Sequence, residues 1–269
     1  MAIVTYVIVI LFGAALGSFL NVCIDRLPKD GSLLKPSSRC DNCGRRLSAL
    51  EMVPVLSYIC LHGRCRTCGA RIPLRVPVVE GLTALIVALA WWRYGLAPAF
   101  FITVLWSAVF ILIIFIDAEH QLILNKVTYP AAIIAIALLT ADWLAPRVGL
   151  LANLRVFGNV GMIPVNSLVS GLLAAGIFFV FFLIIYLINP AGMGMGDIKL
   201  VTLIGLVTGF PVALVAIFIG IILGGIAAIF MLITRKKGRK DIMPYGVFLG
   251  IGPIIAMLWG ANIFNWYLG

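Results

Sequence analysis

Charged residues are scarce in this chain of 269 residues: Asp, Glu, Lys and Arg together make up 11% of it. A typical soluble domain carries about 25%. The hydrophobic fraction is 63% and the mean hydropathy is +1.15. No soluble domain needs that much apolar surface. The composition therefore excludes a soluble protein and makes the bilayer the solvent for most of the chain.

Acidic residues are the rarest charged groups, with ten Asp and Glu against 20 Lys and Arg, so the net charge is +10. In a soluble protein this excess would suggest nucleic acid as a partner. In a membrane protein it is more typical of basic loops on the cytoplasmic side, in contact with anionic lipid. We therefore expect membrane lipid, and no nucleic acid, as a partner.

The apolar residues fall into eight runs, which predict an all-α polytopic membrane protein with about eight transmembrane helices. The first run has no basic segment before it and no clear cleavage site after it, so we interpret it as a retained helix and not a removed signal peptide. The predicted spans are 2–22, 77–95, 99–116, 127–144, 167–189, 198–210, 212–233 and 246–266.

Lys and Arg residues are distributed unevenly between the two sets of loops. All but Arg93, Arg147 and Arg155 lie in one set or at its helix ends. The positive-inside rule makes that set cytoplasmic and places both termini outside. The predicted location is the plasma (inner) membrane. The cytoplasmic loops are 23–76, 117–126, 190–197 and 234–245.

The hydrophilic loop 23–76 contains two C-x2-C pairs separated by 21 residues, and a glycine (Gly44, Gly69) follows each pair. Four thiolates with this spacing suit tetrahedral zinc, as in a small zinc-ribbon-like loop. Two disulfides or an accidental cluster are the alternatives, although a reducing cytosol disfavours disulfides. A closed four-cysteine shell has no open position, so this zinc would be structural. The predicted ligands are Cys40, Cys43, Cys65 and Cys68.

Two acids, Asp117 and Asp197, lie at the cytoplasmic ends of predicted spans and could meet despite their separation in sequence. Paired carboxylates are the catalytic groups of an aspartic protease. Each acid also has an ordinary interpretation: Asp197 can cap the helix that follows it, and Asp117 can be an interfacial charge. The glycines of "GMGMGD" favour catalysis for Asp197, because capping does not need three alternate glycines and close approach of a substrate backbone does.

Helix polarity suggests that these two acids have different catalytic roles. Asp117 ends a helix, where a negative charge is disfavoured, and Asp197 begins one, where it is favoured. We therefore expect Asp197 to be the ionised base and Asp117 the protonated acid. Among the other acids, Asp25, Glu80 and Glu119 are possible partners for a basic substrate segment. Local pairing with neighbouring Arg or Lys residues, such as Arg26 beside Asp25, is the alternative for each.

Several stretches resemble the bacterial type IV prepilin leader peptidase/N-methyltransferase family, which belongs to the GxGD membrane aspartic proteases. The similarity spans nearly the whole chain in the right order. The stretches are "GSFLNVCIDRLP" (17–28), "VPVLSYICLHGRCRTCGARIPLRVPVVEGLTA" (53–84), "FIDAEHQLILNKVTYP" (115–130) and "GMGMGDIKL".

The resemblance implies a bifunctional enzyme. Such enzymes cleave the basic leader of type IV prepilins, or of type II secretion pseudopilins, after a glycine. They then methylate the new N-terminus with S-adenosylmethionine. By motif position, Asp117 and Asp197 correspond to the catalytic aspartates, and the cysteine loop corresponds to the methyltransferase-associated region. The implied organisation is a first transmembrane helix (1–22), the zinc-binding loop (23–76) and a transmembrane peptidase domain (77–269).

The sequence departs from the family pattern at three places. Asn125 stands where an acid is common, and Glu51-Met52 stands where "DN" or "EN" is commoner. The external segment 142–166 is longer than usual and has no assigned role. No G-x-G-x-x-G fingerprint follows a strand, so the residues that bind S-adenosylmethionine are unassigned. The oligomeric state is also open.

Three other functions remain compatible with parts of the sequence. One is a GxGD membrane protease without methyltransferase activity, although the cysteine loop argues against it. Another is a membrane transporter with a regulatory zinc loop, although its acids would be expected near the middle of the bilayer. The third is a non-catalytic assembly scaffold, which would be expected to have lost one of the two aspartates.

Overall fold

A computed structural model describes residues 2–33, 38–144, 167–190, 192–234 and 244–268. Within these ranges the chain is helical, and the β-structure consists of two isolated bridges, so the predicted all-α fold is confirmed. The helices are α1 (Ala2–Arg26), α2 (Leu56–Cys60), α3 (Arg75–Tyr94), α4 (Pro98–His120), α5 (Asn125–Leu144), α6 (Ser167–Ile188), α7 (Met195–Thr208), α8 (Val212–Ile233) and α9 (Tyr245–Leu268).

Seven helices in the described ranges are long and apolar enough to cross a membrane. The remaining predicted span, 198–210, is the 14-residue helix α7. At 1.5 Å per residue α7 is about 21 Å long, shorter than the roughly 30 Å of a bilayer core. The other seven predicted spans coincide with α1, α3, α4, α5, α6, α8 and α9 to within a few residues.

The C-terminal end of α7 nevertheless lies beside the N-terminal end of α6. The backbone N–H of Phe210, just beyond α7, donates to the carbonyl oxygen of Ser170 in the first turn of α6, with 3.4 Å between N and O. Gly205 of α7 packs on the backbone of Ala175. The two helices are therefore antiparallel. Because α7 is shorter, its first turn lies roughly 5–8 Å below the far end of α6, counted along the axes.

The chain divides into two compact units, Met1–Gly95 and Leu96–Gly269. In the first unit α1 and α3 pack closely and antiparallel. A Cβ on Gly13 would lie 2.8 Å from Cα of Ala84, and one on Gly17 would lie 2.7 Å from Cα of Glu80. Small residues thus permit close packing of these two helices within one chain.

In the second unit α9 packs on α8 and α4, while α7 contacts α5, α6, α8 and α9. Glycine again sets the spacing: a Cβ on Gly220 would lie 3.0 Å from Cα of Leu249, and one on Gly250 would lie 2.6 Å from Cγ1 of Ile114. Helix α4 is the most buried of the helices that could cross a membrane, because 72% of an 18-residue apolar stretch within it lies inside the protein. Its last turn carries Asp117 into this core.

Two features of the sequence fall mostly outside the described residues. Helix α5 includes the start of the external segment 142–166, but 145–166 is not described. Of the basic stretch 234–241, only Thr234 is described. The predicted cytoplasmic location of the loop 234–245 therefore stays a prediction.

Candidate functional site

Asp117 lies in the last turn of α4 and is almost fully buried. Its Oδ2 atom accepts a hydrogen bond from the backbone N–H of Val247 in the first turn of α9, with 3.1 Å between N and O. Gly246 makes this contact possible, because a Cβ at that position would lie 2.8 Å from Oδ2. The carboxylate is thus held at the positive end of a second helix.

Asp197 is the third residue of α7, and its side chain turns back over the start of the helix. Oδ2 accepts from the backbone N–H of Gly194 at 3.2 Å, which is the capping interaction expected of an acid at this position. The side chain is less buried than that of Asp117. The capping role and a catalytic role are compatible, because one oxygen of the carboxylate remains for other partners.

The structure brings these two acids to the same end of the second unit. Ile123, from the connection between α4 and α5, lies between the two sites: a Cβ on Gly196 would be 3.0 Å from its Cβ, and one on Gly246 would be 3.2 Å from its Cδ1. Residues that are 80 apart in sequence therefore lie near one another.

The three glycines before Asp197 are not equivalent. A Cβ on Gly196 would press on Ile123, whereas one on Gly194 would meet nothing closer than 3.5 Å, and that atom is Oδ2 of Asp197. At Gly192 the nearest atom is the flexible amide of Asn189. Close approach within the protein therefore explains Gly196, whereas among the described residues no atom crowds the position beside Gly194.

The helix-polarity argument no longer separates the two acids. Asp117 ends α4, but its carboxylate also accepts from the first turn of α9. Asp197 accepts from the start of its own helix. Both carboxylates therefore lie at a helix N-terminus, where a negative charge is favoured. The assignment of Asp197 as base and Asp117 as acid stays a prediction without that support.

Lys199 connects the turn that carries Asp197 to the start of α5. Its Nζ atom donates to Oδ1 of Asn125 at 2.8 Å and lies 5.4 Å from the centroid of the Tyr129 ring. Asn125 follows the short connection from α4, which carries Asp117. Asn125 is a neutral acceptor, so the contact is a hydrogen bond and not an ion pair.

Two other acids have partners that sequence reasoning missed. Asp25 pairs with Arg75 and not with its neighbour Arg26, with 2.6 Å between Oδ1 and Nη2. Glu80 is buried, and its Oε2 atom accepts from the backbone N–H of Val55 at 2.7 Å. Both contacts join segments that are distant in sequence. No local signal in the sequence identifies them.

Val55 adopts a rare backbone conformation, with φ 59° and ψ −49°. The N–H of Leu56 donates to the carbonyl oxygen of Pro54 at 2.6 Å, which closes a γ-turn around Val55. A β-branched residue in this left-handed turn costs about 1–3 kcal/mol. The hydrogen bond to Glu80 helps to hold the turn in place.

The four predicted cysteine ligands come together in the first unit. Their Sγ atoms all lie within 4.8 Å of one another, and those of Cys40 and Cys68 are 3.8 Å apart. Tetrahedral zinc with bonds of about 2.3 Å requires sulfur–sulfur distances of about 3.8 Å. Gly44 and Gly69 have φ of 66° and 69°, as the tight turns after each pair require. The residues fit zinc.

The environment of the cluster favours the thiolate form of Cys65 and Cys68, whereas desolvation and the neighbouring thiols of Cys40 and Cys68 raise the pKa of Cys43 to about 11. Backbone N–H groups of Cys68 and Thr67 lower the pKa of Cys65 to about 6. The backbone N–H of Ala70 and the side chain of Asn42 lower the pKa of Cys68. These donors stabilise the charged form that a metal needs. Cys60 is exposed and Cys23 is buried, and neither belongs to the cluster.

Glu51 stabilises the segment that follows the first cysteine pair. Its carboxylate forms an ion pair with Arg45 at 2.5 Å and accepts from the backbone N–H and hydroxyl of Ser48, both at 2.9 Å. The Arg45 side chain, followed by the Ser48 donors, lowers the pKa of Glu51 to about 2. In this structure the acid of the "EM" departure therefore has a local structural role.

Comparison with known proteins identifies the chain. Residues 11–94 match the Bacterial Peptidase A24 N-terminal domain, and residues 104–229 match the Type IV leader peptidase family. The fold and these matches define a membrane peptidase. The chain belongs to the type IV leader peptidase family. This confirms the resemblance seen in the sequence and, with it, the predicted enzyme class, an aspartic peptidase combined with an N-methyltransferase.

Relatives named prepilin leader peptidase/N-methyltransferase cover nearly the whole chain. The protein from Bacillus subtilis (strain 168) is 30% identical over 261 residues, which is 97% of each chain. Those from Legionella pneumophila and Dichelobacter nodosus are 32% and 33% identical and cover 98% and 94% of this chain, and 94% and 91% of their own length. No solved structure matches the chain.

Proposed function

We propose that this chain cleaves the basic leader peptide of type IV prepilins, or of type II secretion pseudopilins, and then methylates the new N-terminus. The observation that carries the proposal is the convergence of Asp117 and Asp197 at one end of the second unit. The names of the full-length relatives support the same two activities. The substrate is an apolar helix preceded by a charged leader.

In the proposed cleavage step the two carboxylates share one proton. The ionised carboxylate takes a proton from a water molecule as the water oxygen attacks the scissile carbonyl carbon. The protonated carboxylic acid donates to the carbonyl oxygen. The carbon–nitrogen bond then breaks, and the leaving amine takes up a proton. The open space beside Gly194 provides an approach for the substrate backbone.

We further propose that this site faces the cytoplasm of a bacterium, in its inner membrane, with both termini outside. The distribution of Lys and Arg supports this orientation. A prepilin has its charged leader in the cytoplasm and its apolar helix in the bilayer, so the bond between them lies at the cytoplasmic boundary. The first turn of α7, roughly 5–8 Å below the end of α6, is a suitable depth for that bond.

The cysteine loop 23–76 is proposed to belong to the methyltransferase half, and the transmembrane region 77–269 is proposed to carry the peptidase. Cys40, Cys43, Cys65 and Cys68 would hold a structural zinc ion that fixes the fold of the loop. When bound, S-adenosylmethionine would supply the methyl group that the free amine accepts. The separate N-terminal domain match over 11–94 supports a second activity and disfavours a GxGD protease without methyl transfer.

The test is to incubate the purified full-length protein in lipid nanodiscs with a prepilin and S-adenosylmethionine and to determine the product masses. We expect loss of the basic leader after a glycine and a gain of one methyl group at the new N-terminus. Cleavage without methylation would support the protease-only alternative. An uncleaved prepilin, and an uncleaved pseudopilin in a parallel reaction, would contradict the proposal.

A further inference from the structure

The cysteine loop exposes large apolar side chains that the first unit does not cover. Leu50 is 79% exposed, Leu56 57% and Ile59 62%, and Met52 is also exposed. These four residues, called the apolar surface below, come from the short turn Ala49–Met52 and from helix α2. They lie in the hydrophilic part of the chain, where a surface of this kind marks an interaction.

The position of this segment relative to the membrane helices is fixed by Glu80. Its carboxylate accepts from Val55 at 2.7 Å, although Glu80 is the sixth residue of α3 and lies about 7.5 Å from the start of that helix. On the other side Glu80 faces Gly17 of α1. Because side chains of a helix tilt toward its N-terminus, the contact places Val55 beside the first turns of α3.

The same end of the helix pair carries the charges expected at a membrane boundary. Arg75 begins α3 and pairs with Asp25 in the last turn of α1, 2.6 Å apart. Asn21 donates to the carbonyl oxygen of Val76 at 3.0 Å. Val55 therefore lies at the level of the residues at which α1 and α3 leave the bilayer. Leu56 and Ile59 follow directly.

Charge identifies the partner of this surface. The described part of the loop carries five exposed arginines and three exposed acids, Asp25, Asp30 and Asp41, and Asp25 is paired with Arg75. A basic and apolar surface at the bilayer boundary matches anionic headgroups above acyl chains. A basic prepilin leader would be repelled by it. The exposed arginines are Arg39, Arg46, Arg64, Arg66 and Arg71.

We propose that the apolar surface inserts into the adjacent leaflet of the bilayer and that the arginines bind anionic headgroups around it. The hydrogen bond between Glu80 and Val55 sets the depth of insertion. The cysteine loop then lies at the membrane interface. Helices α1 and α3 hold its two ends, and the apolar surface holds its centre. This inference concerns where the loop lies and does not depend on which reaction the enzyme catalyses.

The experiment places the photo-crosslinking residue benzoylphenylalanine at single positions of the full-length protein in nanodiscs of phosphatidylethanolamine and phosphatidylglycerol. Positions 56 and 59 test the surface. Leu85, exposed on α3 within the membrane span, is the positive control. Asp41, exposed and charged in the same loop, is the comparison outside the surface. Zinc content checks that each labelled loop is folded.

Lipid adducts at positions 56 and 59, at yields within about threefold of position 85 and with little adduct at position 41, are the expected result. Phosphatidylglycerol should be enriched among the adducts relative to its share of the nanodisc. Adducts to other parts of the same chain, or to a second copy, would overturn the proposal. So would the absence of adducts at 56 and 59 when position 85 reacts, because that result places the surface in water.

Discussion

The carboxylate of Asp117 accepts a hydrogen bond from the backbone N–H of Val247, a residue 130 positions further along the chain. This contact fixes the acid at the end of α4 against the start of α9, and Gly246 leaves just enough room for it. The geometry of the proposed dyad therefore depends on a helix that carries neither aspartate.

Gly246→Ala should reduce cleavage with little effect on methylation of a pre-cut pilin. The new Cβ would lie 2.8 Å from Oδ2 of Asp117 and force the carboxylate to move. We expect kcat for cleavage to fall at least tenfold, equivalent to about 1.4 kcal/mol in the activation barrier. Gly225→Ala is the matched control, because a Cβ there would meet nothing within 4 Å. Equal activity of the two variants would contradict this role of Gly246.

Lys199 and Asn125 should act as one positioning unit for Asp197. Lys199→Met and Asn125→Ala each remove the 2.8 Å hydrogen bond between α7 and α5. We expect each to lower kcat for cleavage about tenfold with KM little changed, and the double variant to lose no more than Lys199→Met alone, because contacting residues are not additive. Asn125→Asp keeps the acceptor and should retain activity. Independent, multiplicative losses would rule out the unit.

The four clustered cysteines should bind one zinc ion per chain. Cys65→Ser removes a thiolate whose pKa is already lowered to about 6, so metal content should fall to less than a third of the wild-type value. Cys60→Ser, outside the cluster, should leave it unchanged. Elemental analysis of the purified proteins gives the result. Full zinc occupancy in Cys65→Ser would show that this cysteine is not a ligand.

Glu51→Gln should destabilise the first cysteine turn at neutral pH and not at low pH. The pKa of Glu51 is lowered from 4.5 to about 2 in the folded protein, so its stabilising effect is present above about pH 4.5 and is lost as the pH falls toward 2. Hydrogen exchange of residues 38–60 should therefore be faster in the variant at pH 7, and the difference should shrink through that window. A difference that is independent of pH would point to packing instead of charge.

The sequence was sufficient to predict which segments form helices, because long apolar runs have few alternatives in a bilayer. It also predicted that Asp117 and Asp197 lie at one end of the helices, since the loop charges fix the direction of each span. The cysteine spacing predicted a cluster that the structure assembles. These features are local in sequence or follow from topology.

Sequence reasoning failed where a contact depends on packing between distant segments. The partner of Asp25 is Arg75 and not Arg26, because α1 and α3 are antiparallel and their ends meet. Neither the γ-turn at Val55 nor its bond to Glu80 has a sequence signature. The predicted span 198–210 was already the shortest of the eight. The contact of Asp117 with α9, which removed the polarity argument, was not foreseen.

The most direct test of the account compares wild type, Asp117→Asn and Asp197→Asn in cleavage of a purified prepilin, with methylation of a pre-cut pilin measured in parallel. The account predicts that both variants lose cleavage by at least about a thousandfold, since neither carboxylate can act alone, while both still methylate the pre-cut substrate. Substantial cleavage by either variant would contradict the dyad. Loss of methylation together with cleavage would contradict a separate methyltransferase site.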